Sequence, residues 1–220
     1  NGSSPETLVP LRAGLGSATL LENGSNLGFA SGNNRGIQWA LDREAAYVLL
    51  LNNDTVVDAG CVAALVDVAE RDPSVGIVGA VNFYLARPEV VWYSGGMVDW
   101  RTGHVWDPTC EMTLNQLDGI PVLREVDDVA GSSLLIRASV IRDIGLMDPR
   151  YFMYYEETEW CVRAKRRGYR VMSSRDARVW HKVSGSAGPV AHCFMLRNRG
   201  LFMMKNCPRR RLPGFLLRHF

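Results

Sequence analysis

The stretch Ala46-Tyr47-Val48-Leu49-Leu50-Leu51-Asn52-Asn53-Asp54-Thr55 decides the fold. Its nearly continuous apolar half is too short for a helix and reads as a strand buried on both faces. The run then breaks into three oxygen-bearing side chains that end in a carboxylate. In an open α/β sheet, ligands bind in the crevice beyond the carboxyl ends of the strands. A lone acid there, flanked by amides, can hold a hard cation or a phosphate-bound metal. An Asn/Asp turn before a helix accounts for the same three residues equally well.

Downstream, Asp58 reads as an N-cap for an amphipathic helix over Ala59 to Arg71, stopped by Asp72-Pro73. Val75 to Val81 returns as a strand, and this alternation predicts a mostly parallel sheet flanked by helices. Upstream, Ala18 to Glu22 reads as a short strand, followed by a glycine- and asparagine-rich loop over 23–36 and a helix from Ile37 to Arg43. Glycines let backbone N–H groups approach a ligand, and a helix start favours phosphate. The spacing fits neither GxGxxG nor GxxxxGK[ST], so no nucleotide fingerprint applies.

Residues 82–123 read as a hairpin-bearing insertion over the site, with Trp92, Trp100 and Trp106. At least two of these rings are expected in the core, the remainder being free to stack on a sugar or base. Asp127 to Arg137 is a second turn-into-strand element, with a helix from Ala138 to Ile144. The aromatic segment Tyr151-Phe152-Met153-Tyr154-Tyr155 then delivers Glu156-Glu157-Thr158-Glu159 to the start of a helix ending near Arg167. Acids in the first turn suit the helix dipole, whereas apolar surroundings raise a carboxylate's pKa toward values useful to a general base. Two short strands follow, Gly168 to Met172 and Ala177 to Trp180, the second ending at His181. A flexible loop at Gly185 to Pro189 precedes a helix from Val190 to Cys207.

Apolar content is 47%, ordinary for a globular chain of 220 residues with a substantial core. Five scattered cysteines without a CxxC pair argue for reduced thiols in a cytoplasm-like compartment, against a disulfide frame or zinc knuckle. The net charge of +2 is uneven: residues 197–220 hold seven Lys/Arg and no acid. Interleaved with leucine, phenylalanine and methionine, that tail suits an anionic membrane surface, or equally an ordinary solvated end helix. Nucleic acid is a weaker partner, since no recognised binding motif accompanies the charge.

Four stretches, in order, resemble the inverting family 2 glycosyltransferases of GT-A fold, in particular their bacterial rhamnosyltransferase-like branch. Asn26 to Gly36 is similar to the family's N-x-G-F-A-x-G-x-N-x-G loop, and Leu49 to Asp54 to its L-L-N-x-D form of the DXD element. Gly131 to Arg137 with Gly145-x-x-Asp148 resembles the acceptor-side segment. Tyr154 to Arg163 resembles the Y-x-E-D-x-D-x-x-x-R block, followed by His181 and Ser186 as H-x-x-x-x-S. Asn52 and Asn53 stand where stricter members have acids, and Glu157 and Glu159 stand where Asp is usual.

The resemblance implies transfer of a sugar, such as rhamnose from dTDP-rhamnose, from a nucleotide-diphosphate donor to a hydroxyl of a glycan or lipid-linked acceptor in cell-surface polysaccharide synthesis. It casts Asp54 and His181 as ligands of Mg²⁺ or Mn²⁺ and Glu157 as the catalytic base. Asn26, Gly28, Phe29, Gly32, Asn33, Asn52 and Asn53 fall on the donor side, and Gly131, Glu156 and Trp160 on the acceptor side. It also implies that the strands and helix usually preceding the position of Asn1 are missing. Residues 1–196 are then an N-terminally truncated catalytic domain and 197–220 a basic amphipathic tail, meeting the inner face of the plasma membrane. Two rivals are a non-catalytic nucleotide-sugar binding module and a glycoside hydrolase with paired carboxylates.

Overall fold

The organising strand forms as expected: Tyr47–Leu51 is β1. Its side chains divide with the period of two that a strand imposes. Val48 and Leu50 enter one core with Ile77, Ile136 and Trp160, while Tyr47 and Leu49 pack on a second with Leu65, Val75 and Leu135. The computed structural model describes residues 1–183 and 189–219. After α1 (Pro5–Gly14) and α2 (Gly28–Leu41) come β1, β2 (Thr55–Val57), α3 (Cys61–Arg71), β3 (Val75–Tyr84) and β4 (Arg87–Tyr93). A small hairpin of β5 (Met97–Val98) and β6 (Val105–Trp106) leads through a 3-10 turn to β7 (Leu123–Glu125), β8 (Ser133–Arg137) and α4 (Ala138–Ile144). The chain closes with α5 (Glu156–Arg166), β9 (Arg170–His181), α6 (Pro189–Asn206) and α7 (Leu212–His219).

The main sheet runs β1-β8-β3-β9-β2, with β4 added on β3 and β7 on β9. Among the described strands, β3–β9 is the one parallel neighbouring pair. The mostly parallel pairing expected from the sequence is corrected: β1, β3 and β9 do share a direction, but β8 lies antiparallel between β1 and β3. Helices α2, α4 and α5 cover one face and α3 the other.

Only Asn52, Asn53 and Asp54 separate β1 from β2, which occupy opposite ends of that path. A chain that short reaches about 14 Å, less than the ~19 Å of four flat inter-strand steps. The sheet must therefore curl, bringing the last residues of β9 over the end of β1. An irregularity permits this: the β3 partner jumps from Ser174 opposite Ala80 to Arg178 opposite Val81. The sequence splits this region into two strands, whereas the chain is one bent strand through that bulge.

Three further expectations change. Ala18 to Glu22 is not a strand. The glycine-rich segment is a loop only up to Leu27, because α2 begins at Gly28. Poor intrinsic propensity is overridden there by burial of Ala30 and Ile37. Finally, positions 196 and 197 both lie inside α6, so the chain is helical across the expected start of the tail. Phe202, Met203 and Phe215 are buried with Tyr151 and Val162.

Candidate active site

The curl carries the chemistry. Thr55 is registered against His181, and the amide of Lys182 donates to the Asp54 carbonyl at 2.9 Å. This places His181 Nε2 3.0 Å from Asp54 Oδ1, with Asn52 Nδ2 3.5 Å from the same nitrogen. Trp92 lies against the imidazole, ring centroids 4.7 Å apart. Two ligands of a small divalent cation held at ~2.1 Å and at right angles would be about 3 Å apart. The pair therefore fits Mg²⁺ or Mn²⁺. No cluster of three or more His, Cys, Asp or Glu gathers among the described residues, so the remaining positions would fall to water and a bound diphosphate.

Across a cavity of about 650 Å³ stands the first turn of α5. Asp54, His181, Asn52, Gly131, Glu156 and Glu157 all line this cavity, and Phe29 joins them. Burial pushes the Glu157 carboxyl well above the usual carboxylate range, and the neighbouring Glu156 adds to this. Glu156 is raised chiefly by burial, with Asp128 contributing. Asp128 is itself buried and raised, and the Tyr93 hydroxyl donates to its Oδ2 at 2.5 Å. One oxygen each of Asp128, Glu156 and Glu157 has no hydrogen-bond partner among the described residues. Gly131 packs closely against both: a Cβ there would stand 3.1 Å from the Phe29 ring, which would have to shift slightly, and 3.7 Å from Glu157 Cβ.

The remaining expected site residues lie off the cavity. Asn26 Oδ1 accepts from the Gly28 amide at 3.0 Å, and Asn33 Nδ2 donates to the Phe29 carbonyl at 2.9 Å, so both brace the start of α2. Gly28 abuts Phe152, and Gly32 abuts Asn1. The first amides of α2, Phe29 and Ala30, donate to the Phe152 carbonyl at 2.6 and 3.3 Å rather than presenting themselves to a phosphate. Asn53 does not line the cavity. Trp160, expected on the acceptor side, is fully buried in the core with its indole N–H on the Gly145 carbonyl, a correction its apolar helical spacing explains. Ser186 and residues 185–188 of the expected loop lie outside the described residues, and Pro189 already begins α6.

The tryptophans also divide differently from expectation. Trp100 stacks on Phe202, Trp92 lines the cavity and Trp106 is exposed. The sequence singles out neither Tyr93 nor Asp128. An acid pair at 127–128 just ahead of Gly131 was the available signal, but only coordinates separate Asp127, paired with Lys165 at 2.5 Å, from Asp128 in the cavity wall.

The curled α/β sheet flanked by helices is of the GT-A type, and solved structures share the fold. The mannosyltransferase PcManGT from Pyrobaculum calidifontis, in complex with GDP-Man and Mn²⁺, superposes with a TM-score of 0.61 at 15% identity, over 99% of this chain and 57% of its own. The chain belongs to the glycosyltransferase-like family 2, whose model matches residues 12–201. It is 32% identical over 157 residues to the low-salt glycan biosynthesis hexosyltransferase Agl10 of Haloferax volcanii, covering 66% of this chain and 46% of that protein. It is 27% identical over 213 residues to N-acetylglucosaminyl-diphospho-decaprenol L-rhamnosyltransferase of Mycobacterium tuberculosis, covering 87% and 68%. The chain thus spans about half the length of the first relative and about two thirds of the second.

Proposed function

We propose that this chain carries the catalytic centre of an inverting glycosyltransferase that moves a sugar from a nucleoside diphosphate to a hydroxyl of a glycan or lipid-linked acceptor. The observation that carries the reading is that Asp54, His181 and Glu157 border one cavity. Asp54 and His181 would hold Mg²⁺ or Mn²⁺, which when bound supplies positive charge against the leaving diphosphate. Asn52 and Phe29 flank the donor, and Gly131 and Glu156 face the acceptor. The Glu157 carboxylate takes the proton of the acceptor hydroxyl as its oxygen bonds to the anomeric carbon and the diphosphate leaves from the opposite face.

Rhamnose as the transferred sugar is supported by the name of the mycobacterial relative, and dTDP-rhamnose as its donor by the motif pattern. A place at the inner face of a membrane is supported by α7, where exposed Leu217 and half-exposed Leu216 follow Arg209, Arg210 and Arg211. No helix among the described residues is long and apolar enough to cross a membrane.

The deciding experiment is a donor-by-acceptor screen with added divalent metal on wild type and Glu157→Gln. Transfer lost in the variant with donor binding kept is the expected result. Unchanged turnover would remove Glu157 from its role, and donor binding without transfer in the wild type would favour the binding-module alternative.

A further inference from the structure

The backbone that delivers Glu157 to the cavity is strained. Phe152, Tyr154 and Tyr155 have φ of 62°, 72° and 71°, a region disfavoured for any residue with a Cβ. At Phe152 the ψ is −59°, and the Met153 amide donates back to the Tyr151 carbonyl at 2.7 Å. That is a γ-turn of the rare, strained hand. Tyr155 is the residue from which α5 starts, so Glu156 and Glu157 follow the strained segment directly. Such a conformation persists only where its surroundings over-determine it.

The over-determining group is on α6. Asn198 is fully buried, and its Nδ2 donates at 2.7 Å to each of three carbonyls, those of Tyr151, Met153 and Tyr154. Two hydrogens serve three acceptors, so the amide sits at the centre of the turn. Its Oδ1 is fixed by Arg197 Nε at 2.9 Å, and Arg197 Nη2 reaches the Arg150 and Tyr151 carbonyls at 2.8 and 2.9 Å. The Phe152 ring stacks on Phe194, one turn earlier on α6, with centroids 5.1 Å apart.

We propose that Asn198 is a positioning residue: by clasping three carbonyls of the 151–155 turn it sets where α5 begins and hence where Glu157 points. This rests on the reading of Glu157 as the base. Asp54, His181 and Asn52 sit on β9 and the β1–β2 link, which make no hydrogen bond to Asn198, so this Asp–His pair and its hold on a metal-bound diphosphate should be indifferent to its loss.

The test uses the full-length protein with Asn198→Ala and, to keep the side-chain volume while removing the donor, Asn198→Asp. Amide exchange at 153–159 should quicken at least tenfold while 47–57 and 170–181 stay protected. Affinity for nucleoside diphosphates (dTDP, UDP and GDP, each with Mn²⁺) should change less than threefold. Turnover should fall tenfold or more, and its acidic limb should move to lower pH as water reaches the loosened carboxylate. Turnover and acidic limb unchanged in a folded variant would overturn the proposal. So would donor affinity falling in step with turnover, or failure of both variants to fold, since either makes Asn198 a general fold determinant. If Glu157→Gln turns over like wild type, the functional reading itself fails. If it is inactive while both Asn198 variants are normal, only the present inference fails.

Discussion

Replacing Gly28 by alanine separates a structural glycine from one that touches the donor. Gly28 has φ of +76°, and a Cβ added there would lie 2.5 Å from both the carbonyl oxygen and the ring of Phe152. The left-handed backbone costs an alanine about 1–2 kcal/mol. The contact with a carbonyl oxygen has no rotamer that relieves it, so the 151–155 turn must move. That movement breaks the bonds from the Phe29 and Ala30 amides to the Phe152 carbonyl, worth about 1 kcal/mol each. The total is roughly 3–4 kcal/mol, or a fall in Tm of about 10 °C for a domain of this size. Differential scanning calorimetry reads the stability, and isothermal titration with a nucleoside diphosphate and Mn²⁺ reads the site at a temperature where the variant is folded. We expect the large Tm shift, with nucleotide affinity within a few-fold of wild type. An unchanged Tm with affinity lost would refute the reasoning and return Gly28 to the donor pocket.

The half-buried Glu157, its carboxyl raised chiefly by loss of solvation, gives activity and stability opposite slopes with pH. A base must be ionised, so transfer should climb with pH through a limb above the ordinary carboxylate range, and a pH–kcat profile with its limb near 4.5 would count against burial as the cause. In folding, the native state holds this proton more tightly than the unfolded one. The associated stability is complete below the unfolded pKa and is lost as pH rises through the raised value, a slope that Glu157→Gln should reduce in urea titrations. Asp54→Ala should weaken Mn²⁺-dependent nucleotide binding at least about tenfold, ~1.4 kcal/mol, with equal calorimetric Kd values contradicting the ligand role. Leu216→Glu with Leu217→Glu should cut flotation with anionic vesicles while leaving the melting curve in place; equal recovery of variant and wild type would end the membrane reading.

Much of this architecture is legible in the chain because two physical signals are local. The apolar run at 46–51 and its oxygen-rich end need only strand periodicity and turn chemistry, and Glu156 to Arg166 needs only helix periodicity with acids leading. What stays hidden depends on distant partners. No propensity announces a helix at Gly28-Phe29-Ala30-Ser31-Gly32, because its first amides are satisfied by a carbonyl more than a hundred residues away. The bulge in β9 shows only in its register against β3, where Ser174 and Arg178 stand opposite the adjacent Ala80 and Val81. Trp160 illustrates the converse: a large aromatic three and four residues after the two site carboxylates shares their side of α5 but lies one turn further along the helix, inside the core. The basic end fared similarly, its charges being plain in the sequence and its buried Phe202 and Phe215 not.

The curl of the sheet has a consequence for how the protein tolerates change. Because side chains alternate across a strand, a single residue inserted or deleted between Arg178 and His181 would reverse the facing of the imidazole and uncouple it from Asp54. The same insertion at Arg175 or Asp176 would be absorbed by the slack already present in the ladder. Length variation along this one strand should therefore be permissive on one side of Ala177 and lethal to metal capture on the other.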